Sequence, residues 1–313
     1  MKAIVIEKGG GIEELKIKDI EKPSIQRGEV LIKVKALSIN PVDVKTRQGK
    51  AFYGELENED PIILGWDVAG TVEEVGADVT KFKKGDAVFG MVNFLGHGKA
   101  YAEYVASPAD HLALKPENIS FEEAAASTLA ALTAYQDLVH QADLQAGQKV
   151  LVHAASGGVG HYAVQIAKSM GAHVIATSSA RNKDFVLELG ADQHIDYNAQ
   201  DFEEVVSDVD LVIEIVGGDH IKRSLEVIKK GGTLVSNLGF NDEAAAIAKE
   251  KGVKGMGYLV QSNGEDMDKL ADLLASGKVK AHVSKTYSFE QLGDAHLQIE
   301  TGHTRGKVVV TLD

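Results

Sequence analysis

The stretch from Lys149 to Lys168, KVLVHAASGGVGHYAVQIAK, constrains this chain more than any other. An apolar run, KVLV, gives way to a short glycine-bearing turn and then to VGHYAVQIAK, whose apolar positions recur at helical spacing. A buried strand that passes within a few residues into an amphipathic helix is the opening of a βαβ unit. Gly157 lets the backbone approach a ligand closely, and Gly160 lets the helix pack tightly on the strand. The helix start offers unpaired N–H groups and the positive end of its dipole, both suited to phosphate. Ser156, Gly157, Gly158, Val159 and Gly160 are therefore the expected cradle of a dinucleotide pyrophosphate. One position departs from the G-x-G-x-x-G spacing: Ala155 stands where the first glycine would, which fits if the turn stays at negative φ. The alternative is an ordinary tight βα turn.

The surrounding sequence supplies the context that such a loop needs. After Lys149 strand-like and helical stretches alternate: HVIATSS, NKDFVLELGAD ended by Gly190, QHIDY, VDLVIEIVGG, the helical IKRSLEVIKKGG, and TLVSNLG. This rhythm predicts a parallel sheet covered by helices. Before it the chain is β-rich, with MKAIVIE, EVLIKVKALSI, DVAGTVEEVG and GDAVFGMV punctuated by glycines. Ser120 is the expected N-cap of an alanine-rich helix, with Glu122 and Glu123 in its first turn. After about Lys280 the pattern is strand, helix, strand, which returns to the first part.

The end of the second strand in the array selects the dinucleotide. An acidic residue about 20 positions beyond the glycines would bind the ribose 2′-hydroxyl of NAD. Here the segment is ATSSARNKDF, which places Ser178, Ser179, Arg181 and Lys183 there. Hydroxyls and cations suit a 2′-phosphate that a carboxylate would repel. NADPH is favoured, although Arg181 and Lys183 also read as solvated residues of a first helical turn.

With 33 basic against 46 acidic side chains, a formal net charge of −13, the chain is a poor partner for nucleic acid or an anionic membrane. It has no cysteine, which excludes disulfides and thiolate metal sites. The 11 histidines show no paired spacing that would build a metal site, so no metal is expected. The N-terminal apolar run is short for a signal peptide and no stretch approaches a membrane span, so a cytoplasmic protein is expected.

PIILGWDVAGTVEEVG, FKKGDAVFG, AASGGVG and GHTRGKVVV occur in that order and resemble the medium-chain dehydrogenase/reductase superfamily. The resemblance spans essentially the whole chain and is to the zinc-free quinone oxidoreductase, zeta-crystallin-like branch, whose A-x-x-G-x-x-G variant makes the alanine normal. It implies an α/β fold: a discontinuous, β-rich GroES-like catalytic domain over 1–124 and 281–313, and a Rossmann cofactor domain with a doubly wound parallel sheet over 125–280. It also implies a homodimer or tetramer. The zinc-dependent relatives carry a Gly-His-Glu motif where this chain has Trp66 and Asp67.

Without zinc to hold an alkoxide, the chemistry shifts towards an electron-poor acceptor. The expected activity is NADPH-dependent reduction of quinones or α,β-unsaturated carbonyls; an enoyl-thioester reductase and a non-catalytic NADPH-binding protein are alternatives. By the same resemblance the family's N-x-x-D falls on Asn40 and Asp43, and its substrate-side tyrosine on Tyr53. Asn40 and Asp43 also read as a turn residue and a helix cap. The resemblance adds cofactor contacts at Thr128, Tyr197, Val216, Leu238, Gly239 and Lys307, with plain strand-end turns as the alternative for Val216, Leu238 and Gly239, and a surface lysine as that for Lys307.

Overall fold

Strand Glu29–Ile39, rich in aliphatic residues, is buried along most of its length because it is paired on both sides. A computed structural model describes residues 1–312. In it, Asp67–Val75 runs antiparallel along one edge of Glu29–Ile39, while Tyr104–Pro108 and Lys307–Thr311 share the other. Ala87–Met91 and Leu112–Leu114 extend the sheet on one side, and Val283–Ser288 extends it on the other by parallel pairing with Lys307–Thr311. Val30, Ile32, Val34, Val68, Val72, Val88 and Leu112 fill its core. A smaller antiparallel sheet joins Lys16–Asp19, Lys2–Ile6 and Ile62–Ile63.

The second sheet is wholly parallel. Its strands lie in the order Gln193–Asp196, His173–Ser178, Lys149–Val152, Val209–Glu214, Ile228–Ser236, Lys254–Gly257. Taken in chain order this is 3-2-1-4-5-6, the doubly wound arrangement that the alternating pattern predicts. The direction of winding reverses between Lys149–Val152 and Val209–Glu214. Leu151, Ile175, Ile195, Val212 and Leu234 bury one face against helical residues such as Ile221, Leu225 and Ala244.

Two compact units result: residues 1–132 with 261–277 and 281–313, and residues 133–260 with 278–280. The helix Gly264–Ala275 falls inside the expected cofactor span 125–280 but lies with the first unit. Its apolar stripe, Met267, Leu270 and Leu274, is buried, and strand Leu112–Leu114 is its neighbour. Local expectations fare well elsewhere. Ser120 caps the helix Phe121–Ala126 through a capping box, its hydroxyl accepting from Glu123 N–H at 3.1 Å. IKRSLEVIKKGG departs from expectation: the helix stops at Glu226, and Ile228 already pairs with Val209 in the sheet. Among the described residues, no helix is long and apolar enough to cross a membrane.

Candidate active site

The turn that begins the second unit's first βα connection has the build that phosphate binding requires. Ala155 is fully buried and stays out of positive φ, and its N–H donates to Thr177 O at 2.9 Å. Ala154 instead takes the left-handed conformation, at φ 44°. Gly157 is the N-cap of the twelve-residue helix Gly158–Ser169. A Cβ on Gly160 would lie 2.3 Å from Ala154 O, so the helix could not approach the turn with any other residue there. Ser156 is half-buried and accepts from Asn182 Nδ2 at 3.0 Å, and the same amide reaches Ser179 Oγ at 3.3 Å. Asn182, which sequence reasoning did not single out, thus ties the turn to the strand end expected to select the cofactor.

At that strand end the four expected residues divide. Ser178 is buried, with its hydroxyl 2.8 Å from His194 Nε2, so it braces the neighbouring strand and is not presented to a ligand. Ser179 is half-buried, while Arg181 and Lys183 are exposed. Tyr197, at the end of the adjacent strand, is 55% exposed and on the same rim. Val216, Leu238 and Gly239 are likewise exposed, at the carboxyl ends of the fourth and fifth strands of the same sheet. Large apolar side chains left uncovered at the carboxyl edge of such a sheet fit a ligand-binding rim. These residues and the turn suit a dinucleotide.

The first unit gathers its expected residues differently. Pairing of Val308 with Ile39 sets Lys307 beside Asn40. Lys307 is neither at the surface nor open to a cofactor: it is 3% exposed. Its ammonium donates to Asn40 Oδ1 and, at 3.3 Å, to Ile39 O, and it lies 3.5 Å from Asp67 Oδ2. Burial pushes its pKa down, against the pull of Asp67 and Asp43. Asn40 Nδ2 donates to Asp67 Oδ2 at 2.7 Å, and Asn40 N–H donates to Asp43 Oδ2 at 2.6 Å. Asn40 and Asp43 are therefore the cap of the helix Pro41–Arg47 and part of a closed network. Asp43 is pushed up to about 8 by burial and then by the nearby Asp67, so the neutral carboxyl is its favoured form. Thr128 is also fully buried, its hydroxyl donating to Ala125 O at 2.8 Å.

Tyr53 does not join this group. It is half-buried at the start of the short helix Tyr53–Leu56 and its hydroxyl bonds to neither Asn40 nor Asp43. The tyrosine that approaches Asp43 is Tyr101, fully buried, with its hydroxyl 2.9 Å from His296 Nε2. It comes from AYAEYV, which reads as part of a short strand, and no spacing links it to Asp43.

The position of the family's zinc ligands is filled by side chains that do not fit the metal. Asp67 Oδ2 accepts from Ser38 Oγ at 2.5 Å as well as from Asn40, and Oδ1 accepts from Leu129 N–H at 2.9 Å. Trp66 is fully buried, its indole N–H donating to Gly96 O at 2.8 Å. It meets Phe52 and Phe94 edge-on, at centroid distances of 6.1 and 5.4 Å. An indole cannot ligate zinc, and the carboxylate already accepts three hydrogen bonds and pairs with Lys307.

Comparison with known proteins accords with this geometry. Residues 26–117 match the family described as alcohol dehydrogenase GroES-like domain, and residues 189–310 that described as zinc-binding dehydrogenase. The chain is 38% identical over 315 residues, 96% of its own length and 76% of the relative's, to 2-methylene-furan-3-one reductase of Solanum lycopersicum. It is 38% identical over 320 residues, 99% and 79% of the two chains, to the chloroplastic NADPH-dependent alkenal/one oxidoreductase of Arabidopsis thaliana. The quinone oxidoreductase of Coxiella burnetii superposes with a TM-score of 0.94 at 40% identity, covering 100% of this chain and 99% of that one. The chain belongs to the quinone oxidoreductase branch of the medium-chain dehydrogenase/reductase superfamily. As such a member it has the superfamily's two folds, GroES-like in the first unit and Rossmann-like in the second.

One assembly within this superfamily member was invisible in sequence. His153, Glu214 and His220 bring their donor atoms within 4.8 Å of one another, although spacing gives no paired histidines. The parallel sheet creates the group, by bringing the ends of two strands together.

Proposed function

We propose that this chain is an NADPH-dependent, zinc-independent reductase that transfers hydride to quinones or α,β-unsaturated carbonyl compounds. The observation that carries the reading is the pairing of an intact phosphate turn with a cationic strand end. Gly160 must be glycine for the turn to close, and Arg181 and Lys183 stand exposed where NAD-specific sites hold an acid. Two relatives with enone-type names and a solved quinone oxidoreductase of the same fold support the acceptor class.

NADPH, when bound, supplies the hydride. The chain's part is to hold it and to manage the charge that reduction leaves on the acceptor oxygen. The turn 156–160 would hold the pyrophosphate through main-chain N–H groups. Ser179, Arg181, Lys183 and Tyr197 would hold the 2′-phosphate, and Val216, Leu238 and Gly239 would border the cofactor. Tyr53, whose hydroxyl is not tied down by a protein partner, is the proposed donor to the acceptor oxygen. Asn40, Asp43, Thr128 and Lys307 fix backbone and charge within the first unit. The already partnered carboxylate of Asp67 beside Lys307 supports activity without zinc, and a conjugated acceptor does not need a Lewis acid as an alkoxide does.

A small-molecule partner, a homodimer and a cytoplasmic location belong to the same proposal. The net charge of −13 supports the exclusion of nucleic acid. The test is NADPH fluorescence titration followed by NADPH consumption with a quinone, an enone and an alkenal in turn. Saturable binding and turnover of at least one acceptor are expected; no NADPH binding at high micromolar concentration would refute the proposal.

A further inference from the structure

The winding of the parallel sheet reverses between Lys149–Val152 and Val209–Glu214, and both strands deliver a metal-ligating side chain there. His153 follows the first strand, Glu214 ends the second, and His220 opens the helix His220–Glu226. His153 and Glu214 are fully buried, and the His220 side chain is 19% exposed. Glu214 Oε2 lies 2.7 Å from His220 Nδ1 and 3.9 Å from His153 Nε2. Donors around a tetrahedral zinc, each about 2.0–2.1 Å from the ion, stand about 3.3 Å apart. These two separations straddle that value, and all three donor atoms lie within 4.8 Å of one another.

The surroundings already perform the tasks of a ligand's supporting shell. Glu214 Oε1 accepts from Val216 N–H at 2.8 Å and Gly217 N–H at 3.1 Å, which turns Oε2 towards the histidines. His153 Nδ1 is 3.1 Å from Thr177 Oγ1, a contact that orients the ring with Nε2 towards Glu214. Ser224 Oγ, 2.7 Å from Glu214 Oε2 and 3.1 Å from His153 Nε2, stands at the fourth side. The Phe202 ring closes the group, 4.7 Å from the His153 ring and 5.1 Å from that of His220. Burial holds His153 down at about 3, which leaves the neutral ligand form. Two neutral-capable imidazoles and one ionised carboxylate are a zinc donor set. Among the described residues no other three histidines or acids converge in this way.

We propose that His153, Glu214 and His220 form a zinc-binding site in the Rossmann-like unit, apart from the superfamily's zinc position at Trp66 and Asp67. Without metal, the donors satisfy one another through His220, Glu214, Ser224 and His153. The site stands whether or not the chain binds NADPH.

The test uses the full chain after chelator treatment and dialysis. Calorimetric titration with Zn²⁺ at neutral pH should show one ion per chain at micromolar affinity or tighter. Mg²⁺, which prefers oxygen ligands, should not bind there. Co²⁺ should give the intense visible absorption of a tetrahedral site. Substitution of the partly exposed ligand, His220→Gln, should weaken Zn²⁺ at least tenfold and abolish the Co²⁺ band, while His173→Gln, at an exposed histidine elsewhere, should change neither. His220→Gln is checked for folding by circular dichroism, and Glu214→Gln provides a second ligand variant. Absence of Zn²⁺ binding, or binding that survives His220→Gln and Glu214→Gln unchanged, would overturn the proposal, as would its loss in His173→Gln.

Discussion

In the first unit Asn40, Asp67 and Lys307 are at most 3% exposed and bonded to one another, whereas in the second Arg181, Lys183 and Tyr197 stand on an open rim. The superfamily pattern marks both sets as functional, yet they do different physical work. The closed set sets charge and backbone: Lys307 neutralises Asp67, Asn40 joins them, and Asp43 caps the helix that begins beside them. The open set is exposed at the carboxyl edge of the parallel sheet. A polar residue marked as functional therefore has two fates, decided by whether the fold buries it. Where it does, substitution is felt as stability; where it does not, as affinity.

The sharpest way to break this contrast is Lys307→Met. The change leaves the buried Asp67 carboxylate without its cation, 3.5 Å away in the native protein. Removal of one member of a buried pair costs about 3–5 kcal/mol. Urea denaturation should show that loss as a lower midpoint, and adding Asp67→Asn should recover part of it. A wild-type midpoint would mean that the network is not closed.

Gly160→Ala comes next and probes the tightly packed turn of the second unit. The new Cβ would meet Ala154 O at 2.3 Å, backbone against backbone. Overpacking of this kind costs about 1–3 kcal/mol, read as a lower thermal midpoint together with weaker NADPH binding. Gly157→Ala, whose Cβ would lie 3.2 Å from the same oxygen, should cost less stability.

The contrast also explains what could be read in the sequence. The turn was legible because glycine spacing encodes backbone geometry, and the parallel sheet because burial on both faces leaves long apolar runs such as VDLVIE. Cap residues were legible too, since Ser120 and Glu123 are three positions apart. The first unit's network was not, because it joins Asn40 to Lys307 and Ser38 to Asp67 through sheet register, and register has no local signature. Tyr101 with His296, and His153 with Glu214, were hidden for the same reason. Trp66 and Asp67 were visible only as departures from a motif; nothing in the string shows that Asp67 is already partnered. The inward turn of Ser178 was not legible either, because it depends on His194 from the next strand, whose Nε2 lies 2.8 Å from the hydroxyl.

The open rim is tested by Arg181→Ala with Lys183→Ala. Loss of charged hydrogen bonds to the 2′-phosphate should weaken NADPH roughly tenfold or more and leave NADH within about threefold. Parallel fluorescence titrations with the two cofactors measure the ratio. Equal losses for both would show that the rim does not select the phosphate, and equal native affinities would remove the basis for preferring NADPH.

The last test returns to the closed set and is read as a slope, whose smallest step is that between neighbouring pH values. Asp43 is raised by burial, then by Asp67, to about 8 against an ordinary 3.8. Between those values the folded chain keeps a proton that the unfolded chain has released. Stability from this group is thus complete below about pH 4 and lost as pH rises towards 8. One proton sets a limit of about 1.4 kcal/mol per pH unit. Asp137, raised by burial to about 7 with Asn237 pulling the other way, contributes in the same direction. His153 and His296, each pushed down to about 3 by burial, act oppositely below pH 6.5. Asp43→Asn keeps the acceptor for Asn40 N–H but cannot titrate. Its stability relative to the native chain should therefore rise steadily from pH 6 to pH 8 in parallel urea melts. A difference that stays constant over that range would show that Asp43 is ionised in the folded protein, and that Lys307 serves two carboxylates rather than one.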